Sequence, residues 1–146
     1  MSPLKGERDL LIATANLAKE SAYAPYSKFR VGAAILTEDG EVFHGCNVEN
    51  ASFSLTVCAE RNAIFQAVAK GKREFRAIAV TSDDADFVTP CGACRQVLSE
   101  FNPDMEVILA SASGKRKITS LGRLFPSPPN LKKLSRREKG KAGKKR

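Results

Sequence analysis

Two short stretches, Cys58-Ala59-Glu60 and Pro90-Cys91-Gly92-Ala93-Cys94, constrain this chain more than anything else in it. Three thiolates are a common protein complement for a tetrahedral zinc whose fourth position stays open. A catalytic site keeps that opening for water, whereas a structural site closes it with a fourth ligand. Glu60 follows the first cysteine by two residues and is the natural carrier for the proton of that water. The pattern points to zinc-assisted hydrolytic chemistry. Taken alone, Cys91-x-x-Cys94 also reads as a dithiol redox motif or as half of a structural zinc site. Cys46 would then be the residue to close a four-cysteine site. It has no paired spacing and is expected to be a small buried residue on a strand. His44, the single histidine, is expected on the same strand as a surface residue and not as a ligand.

The thiols gain their meaning from where the periodicity puts them. Apolar residues recur at helical spacing from Glu7 to about Ser21, from 58 to 70 and from Cys91 to Phe101. Cys58 and Cys91 therefore fall at helix N-termini, with Cys94 one turn beyond Cys91. Unpaired backbone N–H groups and a partial positive charge are available there. Metal and helix N-terminus both lower the pKa of a thiol. Three thiolates on Zn²⁺ carry net negative charge, and Arg61 is placed to offset it as a donor to sulfur, with Gln96 a weaker candidate.

Between the helices lie short apolar runs. Val31 to Leu36 and Val42 to Val48 flank Asp39-Gly40, a hairpin signal. Arg76 to Thr81 is continuously apolar at its centre, as a strand buried on both faces is. Met105 to Ala110 and Lys115 to Thr119 complete the set, and Ser120 to Phe125 is at best a short helix. The order predicts an α/β domain, with helices layered against a mixed sheet of about five strands.

The net charge of +8 belongs to one end. Residues 131–146 hold nine Lys or Arg against one acid, Glu138, while residues 1–130 hold fifteen of each sign. The chain divides into a neutral catalytic body, 1–130, and a basic extension, 131–146, whose composition predicts disorder. No aromatic residue interleaves the lysines, so a nucleic acid would find charge but no stacking platform. A solubilising extension is the expected reading. No apolar run approaches the roughly 18 residues of a membrane span, and the first residues lack a signal-peptide core. A cytoplasmic location is the expectation.

These residues resemble the cytidine deaminases of pyrimidine salvage over most of residues 10–125. The matching stretches are Ser21-Ala-Tyr-Ala-Pro-Tyr-Ser-Lys-Phe29, Val31-Gly-Ala-Ala, Gly45-Cys-Asn-Val-Glu-Asn50, Cys58-Ala-Glu-Arg61 and Pro90-Cys-Gly-Ala-Cys-Arg-Gln96. The resemblance implies a three-layer α/β/α fold and one zinc per subunit on Cys58, Cys91 and Cys94. It implies Glu60 as the proton shuttle in hydrolysis of cytidine and 2′-deoxycytidine, with release of ammonia. It implies that Asn47 and Glu49 bind the ribose hydroxyls, that Phe29 packs on the pyrimidine, and that the Ala59 backbone holds the base. The family's assembly is a homotetramer. An amide and a carboxylate two apart on a strand share a face and are able to read a diol.

Cys58 stands where polynucleotide and free-base deaminases carry His, which matches the nucleoside branch. Blasticidin-type deaminases share Cys-Ala-Glu and Pro-Cys-x-x-Cys but not the Asn-x-Glu-Asn segment. Two positions depart from the family pattern. Phe53 replaces a usual Tyr. Pro129 falls where an aromatic residue of the C-terminal segment is usual in reaching a neighbouring subunit's site. The alternatives are a deaminase of a modified or antibiotic cytosine nucleoside and a non-catalytic, zinc-stabilised nucleic-acid binder.

Overall fold

The computed structural model describes residues 2–132. The order is α1 (Lys5–Lys19), β1 (Val31–Thr37), β2 (Val42–Cys46), α2 (Ala59–Ala69), β3 (Phe75–Ser82), α3 (Gly92–Phe101), β4 (Glu106–Ala110), β5 (Arg116–Ser120) and α4 (Leu121–Leu124). The five strands run β2-β1-β3-β4-β5 across one sheet. Only the β3–β4 pair is parallel, and α3 forms the crossover that a parallel pair requires. The mixed sheet and its helices are those the periodicity predicts.

Alternation along the central strands divides the side chains between two faces. Ala34, Leu36, Ala77, Ala79, Ile108 and Ala110 pack against Leu11, Ile12 and Ala15 of α1. Ala33, Ile35, Ile78, Val80, Val107 and Leu109 pack on the other side with Ala63, Ile64 and Ala67 of α2, Leu98 of α3 and Leu121 of α4. The result is three layers, α/β/α. Every residue of β3 is buried, which is why that segment reads as a continuous apolar run.

Both faces approach the β1–β2 hairpin so closely that side chains are excluded. A Cβ on Gly32 would lie 2.0 Å from the Ala15 carbonyl oxygen of α1. A Cβ on Gly45 would lie 2.5 Å from the Ala63 nitrogen and 2.7 Å from the Ala59 carbonyl oxygen of α2. Asn62 Nδ2 donates to the Cys46 carbonyl at 2.8 Å and fixes the same contact laterally.

Two strand-level expectations change. The strand expected over 42–48 ends at Cys46, because the next residues pair elsewhere: Val48 bridges to Tyr23 and to Val57. Asn47 and Glu49 therefore lie on an extended connector and not on a sheet strand. Cys46, expected to be buried, is half-exposed on edge strand β2. His44 is exposed on β2, as expected. The predicted disorder of the basic extension falls on residues that, from 133 onward, lie outside the described ones.

Candidate active site

Cys58 and Cys91 are the N-cap residues of α2 and α3, both with extended backbone, and neither side chain caps its own helix. The sulfurs are free to face each other. Cys58 Sγ and Cys91 Sγ are 3.7 Å apart, Cys91 Sγ and Cys94 Sγ 3.4 Å, and all three lie within 4.8 Å of one another. A tetrahedral ion with Zn–S of about 2.3 Å sets its sulfurs about 3.8 Å apart. Three soft donors at that spacing fit zinc.

Charge around the triad is balanced locally. Arg61 Nη2 donates to Cys58 Sγ at 3.4 Å and reaches the Thr56 carbonyl at 3.5 Å. A hydrogen bond from Cys94, then one from Arg61, brings the Cys58 thiol down to about 5 despite partial burial. The bond to Cys58, then burial, pushes the Cys94 thiol far up. The Cys58 thiolate in turn raises the pKa of Arg61. Gln96 behaves differently from Arg61: its backbone carbonyl accepts from Ser99 Oγ, and its side chain makes no hydrogen bond to a sulfur among the described residues.

Glu60 occupies the first turn of α2 and is 4% exposed. Burial, and then the negative Cys58, push its carboxyl up to about 7. A buried carboxyl that titrates near neutrality suits a group that must both take and give a proton.

A cavity of about 230 Å³ opens onto this chemistry. Phe29, Asn47, Glu49, Ala59 and Glu60 all line it, together with Cys58 and Cys91. Asn47 is largely occupied with the chain itself: its Oδ1 accepts from Val31 N at 2.9 Å and its Nδ2 donates to the Phe29 carbonyl at 2.8 Å. Glu49 Oε1 accepts from Tyr26 N at 3.0 Å and from Ser27 N at 3.1 Å. Hydrogen bonds from Ser27 and Tyr26 hold its carboxyl below the usual carboxylate range. Ser27, Val31, Thr56, Val88 and Thr89 also line the cavity. Val31 opens β1, but nothing in local periodicity marks Ser27, Thr56, Val88 and Thr89, because separate loops bring them together. A larger cavity of about 390 Å³ lies beside α1 and the end of β2, lined by Leu17, Ala18, Cys46 and Val48 among others. It holds none of the triad, so size does not mark the site.

Two helices packed on one face of the sheet, α2 and α3, both start at one zinc-fitting thiol triad, and this arrangement defines a zinc hydrolase built on an α/β/α sandwich. Residues 6–111 match the family model for the cytidine and deoxycytidylate deaminase zinc-binding region. A cytidine deaminase of Sporosarcina psychrophila is 51% identical over 126 residues, 86% of this chain and 93% of that one. The crystal structure of a cytidine deaminase from Burkholderia pseudomallei superposes with a TM-score of 0.80 at 53% identity, covering 83% of this chain and 98% of that one. A blasticidin-S deaminase of Bacillus cereus is more distant, at 34% identity over 128 residues, 82% of this chain and 91% of that one. The chain belongs to the cytidine deaminase family.

Proposed function

We propose that this protein hydrolyses cytidine and 2′-deoxycytidine to uridine and 2′-deoxyuridine, releasing ammonia. The observation that carries the reading is one cavity lined by Cys58 and Cys91 of a zinc-fitting thiol triad and by the buried Glu60. A zinc ion on Cys58, Cys91 and Cys94 supplies the Lewis acidity that makes water a nucleophile near neutral pH. Glu60 takes the proton of the attacking water, gives it to the pyrimidine ring nitrogen and moves a second proton to the departing amine. Cytidine and water thus become uridine and ammonia, with no redox change. Asn47 and Glu49 face the ribose hydroxyls, Glu49 through the oxygen not engaged by the loop. Phe29 packs on the base, and the Ala59 backbone at the start of α2 holds its polar edge. Arg61 offsets the charge of the thiolates.

Residues 1–130 form the catalytic domain, and 131–146 are an appendage. The working form is a homotetramer in the cytoplasm, acting in nucleoside salvage. Large apolar side chains around the site mouth support the assembly: Tyr26, Phe53 and Leu55 are all more than half exposed in the single chain. Among the described residues no helix is long and apolar enough to cross a membrane.

The test follows ammonia release and the ultraviolet change from cytidine to uridine with zinc-loaded protein, beside Glu60→Ala. Turnover by the wild type that vanishes in a zinc-retaining mutant is the expected result. A folded, zinc-loaded wild type inert on both nucleosides would overturn the reading and favour a modified cytosine nucleoside as substrate.

A further inference from the structure

The three thiols are not held alike. Cys94 is fully buried, and Cys58 is half-buried against Arg61. Cys91 is exposed, so neither packing nor a cation fixes it. Its backbone is fixed instead, by one residue. Arg95 Nε donates to the Pro90 carbonyl at 2.7 Å, and Arg95 N donates to the Cys91 carbonyl at 2.9 Å. The peptide planes on both sides of the Cys91 Cα are thus held by a single side chain and its own amide.

The same guanidinium reaches further. Nη2 donates to Thr89 Oγ1 at 3.1 Å, and Thr89 lines the cavity. Nη1 donates to the Leu124 carbonyl at 2.6 Å, at the end of α4. That anchor is itself firm, because Leu121 is fully buried and its N–H donates to the Met105 carbonyl at 2.8 Å. Arg95 therefore ties the loop entering α3 to the C-terminal turn of the fold.

We propose that Arg95 is a positioning residue that sets the place of the Cys91 sulfur and of the Thr89 wall of the cavity. The proposal rests on the reading of Cys91 as a zinc ligand. A planar fork spans acceptors in three directions, whereas the point charge of a lysine does not.

The experiment uses full-length, zinc-loaded wild type, Arg95→Gln, Arg95→Lys and Thr89→Val, well below their melting temperatures. Zinc release to an excess of a chromophoric chelator and the kcat and KM for cytidine are measured on each. Residues that orient a metal ligand typically change metal affinity or activity about 10–100-fold when replaced, so R95Q is expected to release zinc that much faster. R95K should behave more like R95Q than like the wild type. T89V, which loses only the wall contact, should raise KM and leave zinc release unchanged. A folded R95Q with a lower melting temperature but wild-type zinc release and KM would overturn the proposal and make Arg95 a purely structural residue. If R95Q does not fold, R95K decides: faster zinc release supports the proposal, and wild-type release overturns it. A wild type that binds no zinc would overturn the zinc reading and the proposal together, whereas wild type and R95 variants that hold zinc equally overturn the proposal alone.

Discussion

Arg30 and Asp83 hold each other through backbone and side chain at once. Asp83 Oδ2 accepts from Arg30 N at 3.1 Å and Nε at 3.0 Å, Oδ1 accepts from Nη2 at 3.2 Å, and Asp83 N donates back to the Arg30 carbonyl at 3.2 Å. The pair joins the loop that carries Phe29 to the end of β3. Hydrogen bonding from Arg30 lowers the Asp83 pKa.

Asp83→Asn should lower stability by about 1 kcal/mol at pH 7, since the pair is partly solvated and worth little more. The sign of its pH dependence follows from the lowered native pKa. The contribution is present above the ordinary carboxylate range of about 4 and is lost as pH falls through the native value. Denaturant midpoints of wild type and D83N should converge in acid. A gap that persists well below that range would refute the pairing as its source. KM for cytidine should rise in D83N, because Phe29 loses its tether.

Glu60→Gln removes the proposed proton carrier and keeps the shape. Turnover should fall by about 10²–10⁴-fold, the usual share of a general acid–base group. Because burial disfavours the charged carboxylate, the neutral amide should leave the melting temperature unchanged or higher. Calorimetry and metal analysis check both points. A large loss of stability or of zinc would mean that the carboxylate has a structural task.

Gly45→Ala and Gly92→Ala make a contrasting pair. A Cβ at Gly45 meets the α2 backbone at 2.5 Å, while at Gly92 nothing lies within 4 Å. G45A should cost about 1–3 kcal/mol by overpacking and should also slow turnover, since α2 begins with Ala59 and Glu60. G92A, in the first turn of α3, should be neutral or slightly stabilising. Thermal melts of both proteins decide it, and equal effects would refute the close approach.

Lys28 has φ of 59°, in the left-handed region that asparagine tolerates better than lysine. Lys28→Asn should raise stability by some tenths of a kcal/mol, up to about 1. Because the turn ahead of Phe29 is unchanged, KM should stay within a factor of about two. A destabilised K28N would show that the lysine side chain supports the loop.

How far the chain was legible depends on the distance over which each feature is encoded. α2, β3 and α3 follow from apolar spacing within a few turns. The thiol triad follows from two short motifs, because each cysteine sits where its helix starts. Phe29, Asn47, Glu49 and Ala59 all reach the cavity. What periodicity missed is set by pairing between distant segments. Val48 leaves β1 for Tyr23 and Val57, which takes Asn47 and Glu49 off the strand. Val88 and Thr89 join the cavity wall, and Arg95 bonds to Leu124, through contacts with no local pattern. Gln96 shares the motif with Arg95, but its side chain does not reach the sulfurs.

The double acceptor at Glu49 has a consequence for the thermodynamics of ligand capture. One carboxylate oxygen already fastens Tyr26 and Ser27, so the loop before Phe29 is ordered in advance of any ligand. Ordering a mobile side chain on association costs about 0.5–1.5 kcal/mol each. Here that cost belongs to folding, and a nucleoside meets a preorganised wall. Removing the carboxylate would therefore make binding entropically less favourable as well as weaker in contacts.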